Sequence, residues 1–194
     1  AQEIAADSKP ESHRALPAGS PGESRAEAEA VREPASRTTT SGSWSERVAA
    51  GDFAAVLDDA TDRGVDATLA RAPLGDLVAL ADAARYKGRG DLARRTLGAI
   101  RSRFPASTDA RSAVFHLGRL AEERGKLTEA LSSYDRYLAE ARNGAFAAEA
   151  FGRKLVVTRK AAGDETARSV ARDYLARFPK GSYAGLAKEL VAAP

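Results

Sequence analysis

The chain has two histidines, His13 and His116, and neither cysteine nor methionine. An imidazole metal site needs a second histidine or a carboxylate at helical spacing, as in H-E-x-x-H, and neither histidine has one. Each therefore reads as a surface or satisfied residue and not as a ligand. Without cysteine there is no disulfide, thiolate metal site or cysteine nucleophile. A Ser/His/Asp set fails for the same scarcity, because His116 is the one histidine outside the N-terminal stretch. The acidic pairs Asp58-Asp59 and Glu122-Glu123 are adjacent in sequence. Neighbours on a helix point in different directions, so these suit solvated faces better than an acid/base couple. Gly118-x6-Gly125-Lys126-Leu127-Thr128 looks like a phosphate loop at a glance. Such a loop needs four intervening residues, a hydroxyl directly after the lysine and a preceding strand, so the match fails. Arg89-Gly90-Asp91 spells an adhesion tripeptide but falls where an interhelix turn wants a glycine and an N-capping aspartate. Catalytic, cofactor-binding and metal-binding residues are therefore expected to be none, and the chain is not expected to be an enzyme.

The composition points to what holds these residues. Apolar residues make up 43% and charged residues 29%, while aromatics are only 6%. Alanine supplies much of the apolar share, and an alanine-rich core needs the close backbone approach of helix on helix. Fold class is thus expected to be all-α. The net charge of +3 divides unevenly: residues 1–42 hold five basic groups against seven acidic ones, and the rest of the chain carries the excess of positive charge. The charges are interspersed, without the clustered basic stripe of a nucleic-acid binder, so no nucleic acid is expected as a partner. No small-molecule substrate is expected either. No apolar run approaches the roughly 20 residues of a membrane span. The N-terminus lacks the charged and apolar regions of a signal peptide. The first residue is alanine, as expected of a processed product or a piece of a longer chain. A membrane tether would then come only from missing upstream sequence.

Residues 1–42 read as a disordered linker or tail. Pro10, Pro17, Pro21 and Pro34 interrupt them, and Ile4, Leu16 and Val31 are too few large aliphatics to offset the ordering entropy. Residues 23–33 favour helix only weakly. From Trp44 the pattern changes. Arg103-Phe104-Pro105 recurs as Arg177-Phe178-Pro179, 74 residues on, and a register of half that length connects three segments. It aligns Ala93 with Ala130 and Ala167, Ile100 with Tyr137 and Tyr174, and Ala113 with Ala150 and Ala187. Tyr137 and Tyr174 each have a glycine seven residues on, Gly144 or Gly181, and an aromatic nine on, Phe146 or Tyr183. Repeats of this length signal stacked supersecondary units.

Each unit reads as two helices. Leu127, Ala130, Leu131, Tyr134, Tyr137 and Leu138 form one apolar stripe at the helical period. The same stripe appears as Ala167, Val170, Ala171, Tyr174, Leu175 and Phe178, and as Ala93, Thr96, Leu97, Ile100 and Phe104. Glycines mark the turns at Gly51, Gly88, Gly90, Gly125 and Gly163, and Pro105 and Pro179 stop the second helices. Ser107 or Thr108, and Ser182, are natural N-caps for the helices that follow, and Pro73 opens a helix from Leu74 to Lys87. The stripe Tyr134, Tyr137, Tyr174, Phe178 is expected in the core. The units fall at about 43–72 (degenerate, its first helix at Trp44 to Ala50), 73–106, 107–143 and 144–181, with a closing helix over 182–192, in a domain spanning 43–194.

Leu117-Gly118, Gly125, Ala130 and Tyr134 stand at the spacings of the tetratricopeptide repeat, which this unit resembles. It departs from the family at Val114, Ala121 and Arg142, where the family has an aromatic, a tyrosine and a proline. The resemblance implies a right-handed helical-hairpin solenoid, TPR-like, that recruits proteins. The Arg-Phe-Pro ending resembles bacterial envelope members of the Tol-Pal-associated and outer-membrane-assembly type, which implies a periplasmic or cell-envelope location; a cytoplasmic one is the alternative. An arginine- and alanine-rich array behind a linker also resembles the C-terminal part of FecR-type sigma-factor regulators, which implies a regulatory periplasmic segment. A structural subunit packing in a larger assembly is the other alternative. By the family's numbering, Phe115, Arg119 and Glu122 face the concave groove, where a protein or peptide partner would bind. The alternative for Phe115 is packing against the neighbouring hairpin.

Overall fold

Glycine placement sets most of the helix boundaries. Gly51, Gly64, Gly88, Gly125 and Gly163 all take positive φ, between 67° and 82°, a conformation open to glycine and costly for residues with a Cβ. Gly88, Gly125 and Gly163 are thus the turn residues expected, whereas Gly90 opens the next helix. In this computed structural model residues 42–193 are described. Apart from Gly42, the expected tail, with His13 and the weak helix over 23–33, lies outside the described residues.

The described residues form nine helices and no strand: α1 (Trp44–Ala49), α2 (Phe53–Asp62), α3 (Val65–Arg71), α4 (Leu74–Tyr86), α5 (Gly90–Arg103), α6 (Thr108–Glu123), α7 (Leu127–Glu140), α8 (Ala147–Arg177) and α9 (Ala184–Ala192). The all-helical expectation holds for them. Gly163 breaks α8 into two arms, 147–162 and 164–177. Gly64 likewise separates α2 from α3, a division the sequence pattern does not announce.

Caps support these ends unevenly. Ser43 and Glu46 form a reciprocal capping box at α1, and Ser107 Oγ accepts from Ala110 N at 2.9 Å at α6. Two expected caps are corrected. The N-cap of α9 is Tyr183 and not Ser182, and Asp91 sits inside the first turn of α5 behind an Arg89 N-cap. Asp91 accepts instead from Arg124 Nη2, at 2.6 Å.

Four apolar clusters follow one another along the chain. The first joins Trp44, Val56, Ala60, Ala79, Leu80 and Ala83, and the second joins Leu77, Ala81, Ala84, Leu97, Ile100, Ala113 and others. The third gathers Val114, Phe115, Tyr134, Tyr137, Ala150 and Val157, and the fourth Leu155, Ala171, Tyr174, Ala187 and Leu190. Helices α4, α6 and the first arm of α8 each serve two clusters. Helices α5, α7 and the second arm of α8 bury a single stripe, as their periodicity requires. Tyr134, Tyr137 and Tyr174 are fully buried and Phe178 packs beside Tyr174, so the aromatic stripe is core.

Cores so poor in large residues depend on fit. Ala81 faces the same cluster as Leu97, and Leu155 the same cluster as Ala171. At the equivalent positions Gly118 meets Tyr134, whose Cε1 would lie 2.7 Å from any Cβ added there. Each of these register pairs combines a small residue with a larger one, which keeps the packed volume roughly constant.

Two sequence signatures acquire a physical role. The hydroxyl of Tyr137 accepts from Phe146 N at 3.0 Å, and that of Tyr174 from Tyr183 N at 3.3 Å. Gly144 and Gly181 make room, since a Cβ at either would come within 2.4 or 2.2 Å of the hydroxyl oxygen. The tyrosine–glycine–aromatic spacing is therefore a latch between one helix and the next. In the Arg-Phe-Pro tripeptides, Arg103 Nη1 donates to Leu69 O at 2.9 Å and Arg177 donates to Arg142 O. Arg103 reaches back to a carbonyl in the last turn of α3, where a cation is favoured, and Arg177 to a carbonyl just past the end of α7.

Candidate functional site

Helices α4 and α6 each present a polar stripe on the side not consumed by the two cores. On α4 it comprises Asp82, Arg85 and Tyr86; on α6, Asp109, Ser112, His116, Arg119 and Glu123. Their spacing of three, four and seven residues puts each set on one helix face. Arg85 Nη1 donates to Asp82 Oδ1 at 2.8 Å, and Arg119 lies 3.7 Å from Glu123. Between these stripes and the start of α2 runs a groove of about 380 Å³, bordered by Val48, Phe53, Arg85, Tyr86, Arg119 and Glu123.

Of the three residues expected in a groove, only Arg119 lies there. Phe115 is 1% exposed and stacks on Phe146, ring centroids 4.5 Å apart and planes within 7°. It is a core residue, and the expectation of an exposed anchor at this position is corrected. The cause is the two-faced first helix: Phe115 points to the cluster that α7 and α8 complete. Glu122 is committed internally as well. Its Oε2 accepts from the Tyr134 hydroxyl at 2.6 Å and from Arg153 Nη1 at 3.2 Å, tying α6 to α7 and α8. Burial, with the bond to Glu122, pushes the Tyr134 hydroxyl well above its usual range. The acidic pairs divide in the same way: Glu122 and Asp59 are bonded while their neighbours face outward. Asp59 Oδ2 accepts from Trp44 Nε1 at 2.8 Å, and this bond leads the causes that hold its carboxyl below the usual range.

Tyr86 escapes the pattern-based reading. It is 72% exposed and stacks on Phe53 at 4.1 Å. The signal was present in the register, because the equivalent positions are Glu123 and Lys160. A ring where the other units place charge marks a departure from a solvated face.

His116 is the other distinctive group. Burial, then the charges of Arg85 and Arg119, lower its pKa to about 3, so it is neutral at ordinary pH. Its Nδ1 and the Arg119 Nε are both buried without a hydrogen-bond partner among the described residues. Asp82 shifts the other way: burial raises its pKa, and the charge of Asp109 adds to this. Among the described residues no group of three His, Asp or Glu is placed to hold a metal ion, and no helix is long and apolar enough to cross a membrane. The arrangement offers an amphipathic surface with one exposed ring and two arginines, a chemistry suited to binding. In comparisons with known proteins, no family model, no curated protein and no solved structure matches the chain.

Proposed function

We propose that the chain is a non-enzymatic protein–protein interaction scaffold, a right-handed TPR-like solenoid whose first helices line a groove for a peptide or helix of a partner. The observation that carries this reading is Tyr86, an exposed ring stacked on Phe53 beside Arg85 and Arg119 at the groove. Tyrosine and arginine are the residue types that most often anchor protein interfaces. Clusters that follow one another along the chain, each bridged by a two-faced helix, support the stacked architecture.

The test selects peptides from a displayed random library on the full chain, then measures their affinity for Tyr86→Ala and Arg119→Ala. Tyr86 is largely exposed and Arg119 partly so, and an unchanged urea-unfolding midpoint for each variant shows that the fold is kept. Each substitution is expected to weaken binding about tenfold, the loss of a moderate interface anchor. Peptides that bind both variants as tightly as the unaltered chain would place the recognition surface elsewhere.

A further inference from the structure

In the 37-residue register, Val78, Phe115 and Gly152 are equivalent, and so are Asp109, Phe146 and Tyr183. The three pairs sit where the start of one helix meets the helix one repeat length earlier: α6 with α4, α8 with α6, and α9 with the first arm of α8. Two are filled by rings. Phe115 stacks on Phe146, and Tyr183 lies so close to Gly152 that an added Cβ would be 1.9 Å from a ring carbon. The remaining pair, Val78 and Asp109, carries no ring and borders a cavity of about 210 Å³, which Phe146 also lines. A carboxylate stands where the other two seams carry a plug.

The lining of this cavity is distinctive. Its walls are apolar, with Val78, Leu97, Ile100 and Phe146 contributing. The charged groups that line it are Asp82 and Asp109, both negative. Burial raises the Asp82 pKa most, the charge and hydrogen bond of Arg85 offset part of this, and the charge of Asp109 adds a smaller upward push. Arg85 engages one oxygen of Asp82, while Asp109 makes no hydrogen bond or ion pair among the described residues. His116 completes the rim as a neutral imidazole with its Nδ1 buried and without a partner among the described residues. Arg85 and Arg119 act on that imidazole from the neighbouring groove, outside the cavity.

We infer that this seam is a socket for one basic side chain, a lysine or arginine, of the protein partner. The aliphatic stem lies on the apolar walls and the cation sits between Asp109, which has no partner among the described residues, and the oxygen of Asp82 that Arg85 does not engage. The inference rests on the protein-binding reading above and names the chemistry of its partner.

The experiment uses the full, isotopically labelled chain and two probes, N-acetyl-lysine amide and N-acetyl-norleucine amide, which shares the stem without the charge. In amide-correlation spectra the lysine probe is expected to shift resonances around residues 82 and 109–116, at millimolar affinity, and the norleucine probe to leave them in place. Asp109 is partly buried and unbonded, and Ser107 still caps α6, so Asp109→Asn keeps the fold. It is expected to weaken the lysine probe by about threefold to fivefold. Equal shifts from both probes, shifts elsewhere, or unchanged affinity in Asp109→Asn would each overturn the socket. Neither Tyr86 nor Arg119 lines this cavity, so failure here leaves the peptide-affinity test standing, and failure there does not depend on this result.

Discussion

The seam between the α4/α5 pair and α6, and the seam between the α6/α7 pair and α8, share one register but are filled in opposite ways. In the later seam Tyr137, Gly144 and Phe146 make a latch: the hydroxyl holds the next helix by its backbone, and the ring stacks on Phe115. In the earlier one Ile100, Ser107 and Asp109 occupy the equivalent positions. Isoleucine has no hydroxyl to accept a bond, serine caps α6 instead of making room, and aspartate leaves a cavity. The difference teaches that recurrence fixes where helices lie, while the filler of each seam decides whether it closes on itself or stays open to a ligand.

The largest effect expected from breaking a closed seam comes at its tightest point. Gly152→Ala puts a Cβ 1.9 Å from Tyr183 Cδ2 and 2.3 Å from Cγ, atoms near the root of a side chain that cannot swing aside cheaply. A loss of about 2–3 kcal/mol in urea unfolding is expected, as for other overpacked sites. Gly98→Ala, in the interior of α5 with nothing within 4 Å of the added carbon, is the control. It is expected to stabilise by about 0.5–1 kcal/mol, because alanine loses less entropy in a helix. Two variants of equal stability would show that the closed seam is not tight.

A smaller effect separates the open seam by its histidine. The folded-state pKa of His116, about 3, is depressed below the value of about 6.5 for the unfolded chain. A depressed pKa means that the unfolded chain takes the proton first as pH falls. The stability tied to neutral His116 is therefore present above about pH 6.5 and lost progressively toward pH 3. Between pH 7 and pH 5 this amounts to about 1–2 kcal/mol. Asp59 and Glu140, held low by Trp44 and by Arg101 respectively, lose their contribution only in more acid solution, and Asp82, whose pKa is raised, acts in the opposite sense. His116→Gln leaves all three in place. Its stability is expected to change less between pH 7 and pH 5 than that of the unaltered chain; parallel profiles would mean that His116 is solvated.

Much of this organisation was legible in the residues because it is local. Stripes such as Ala130, Tyr134 and Tyr137 depend on the helical period alone, and Gly88 and Gly125 mark turns through their own backbone. The Arg-Phe-Pro tripeptides announced helix ends for the same reason. What stayed hidden depends on residues far apart in sequence. Whether Phe115 faces a groove or a core is decided by Phe146, which another helix delivers. Arg103 and Arg177 act on carbonyls of the preceding unit, and no spacing within one unit reveals that. Ser182 suits a cap by type, yet the latch from Tyr174 to Tyr183 sets where α9 begins. Within the groove, Arg119 was placed by the family's numbering, whereas Tyr86 stood out only as a break in the register.

The smallest effect is the sharpest test of the comparison, because it converts one seam into the other. Asp109→Phe gives the open seam the ring that Phe146 and Tyr183 supply at the equivalent positions. Filling apolar volume favours the variant, and the cavity of about 210 Å³ has room for a ring. Against this, α6 loses the acidic group of its first turn, which is worth about 0.3–1 kcal/mol at a helix N-terminus. The two nearly cancel, and a net gain below about 1 kcal/mol in urea unfolding is expected. The lysine probe should then no longer shift residues 109–116, since the ring occupies the place of its stem. A variant destabilised by more than that amount would show that equivalent register positions do not have equivalent space, and that the open seam is shaped by its own backbone and not by the residue that fills it.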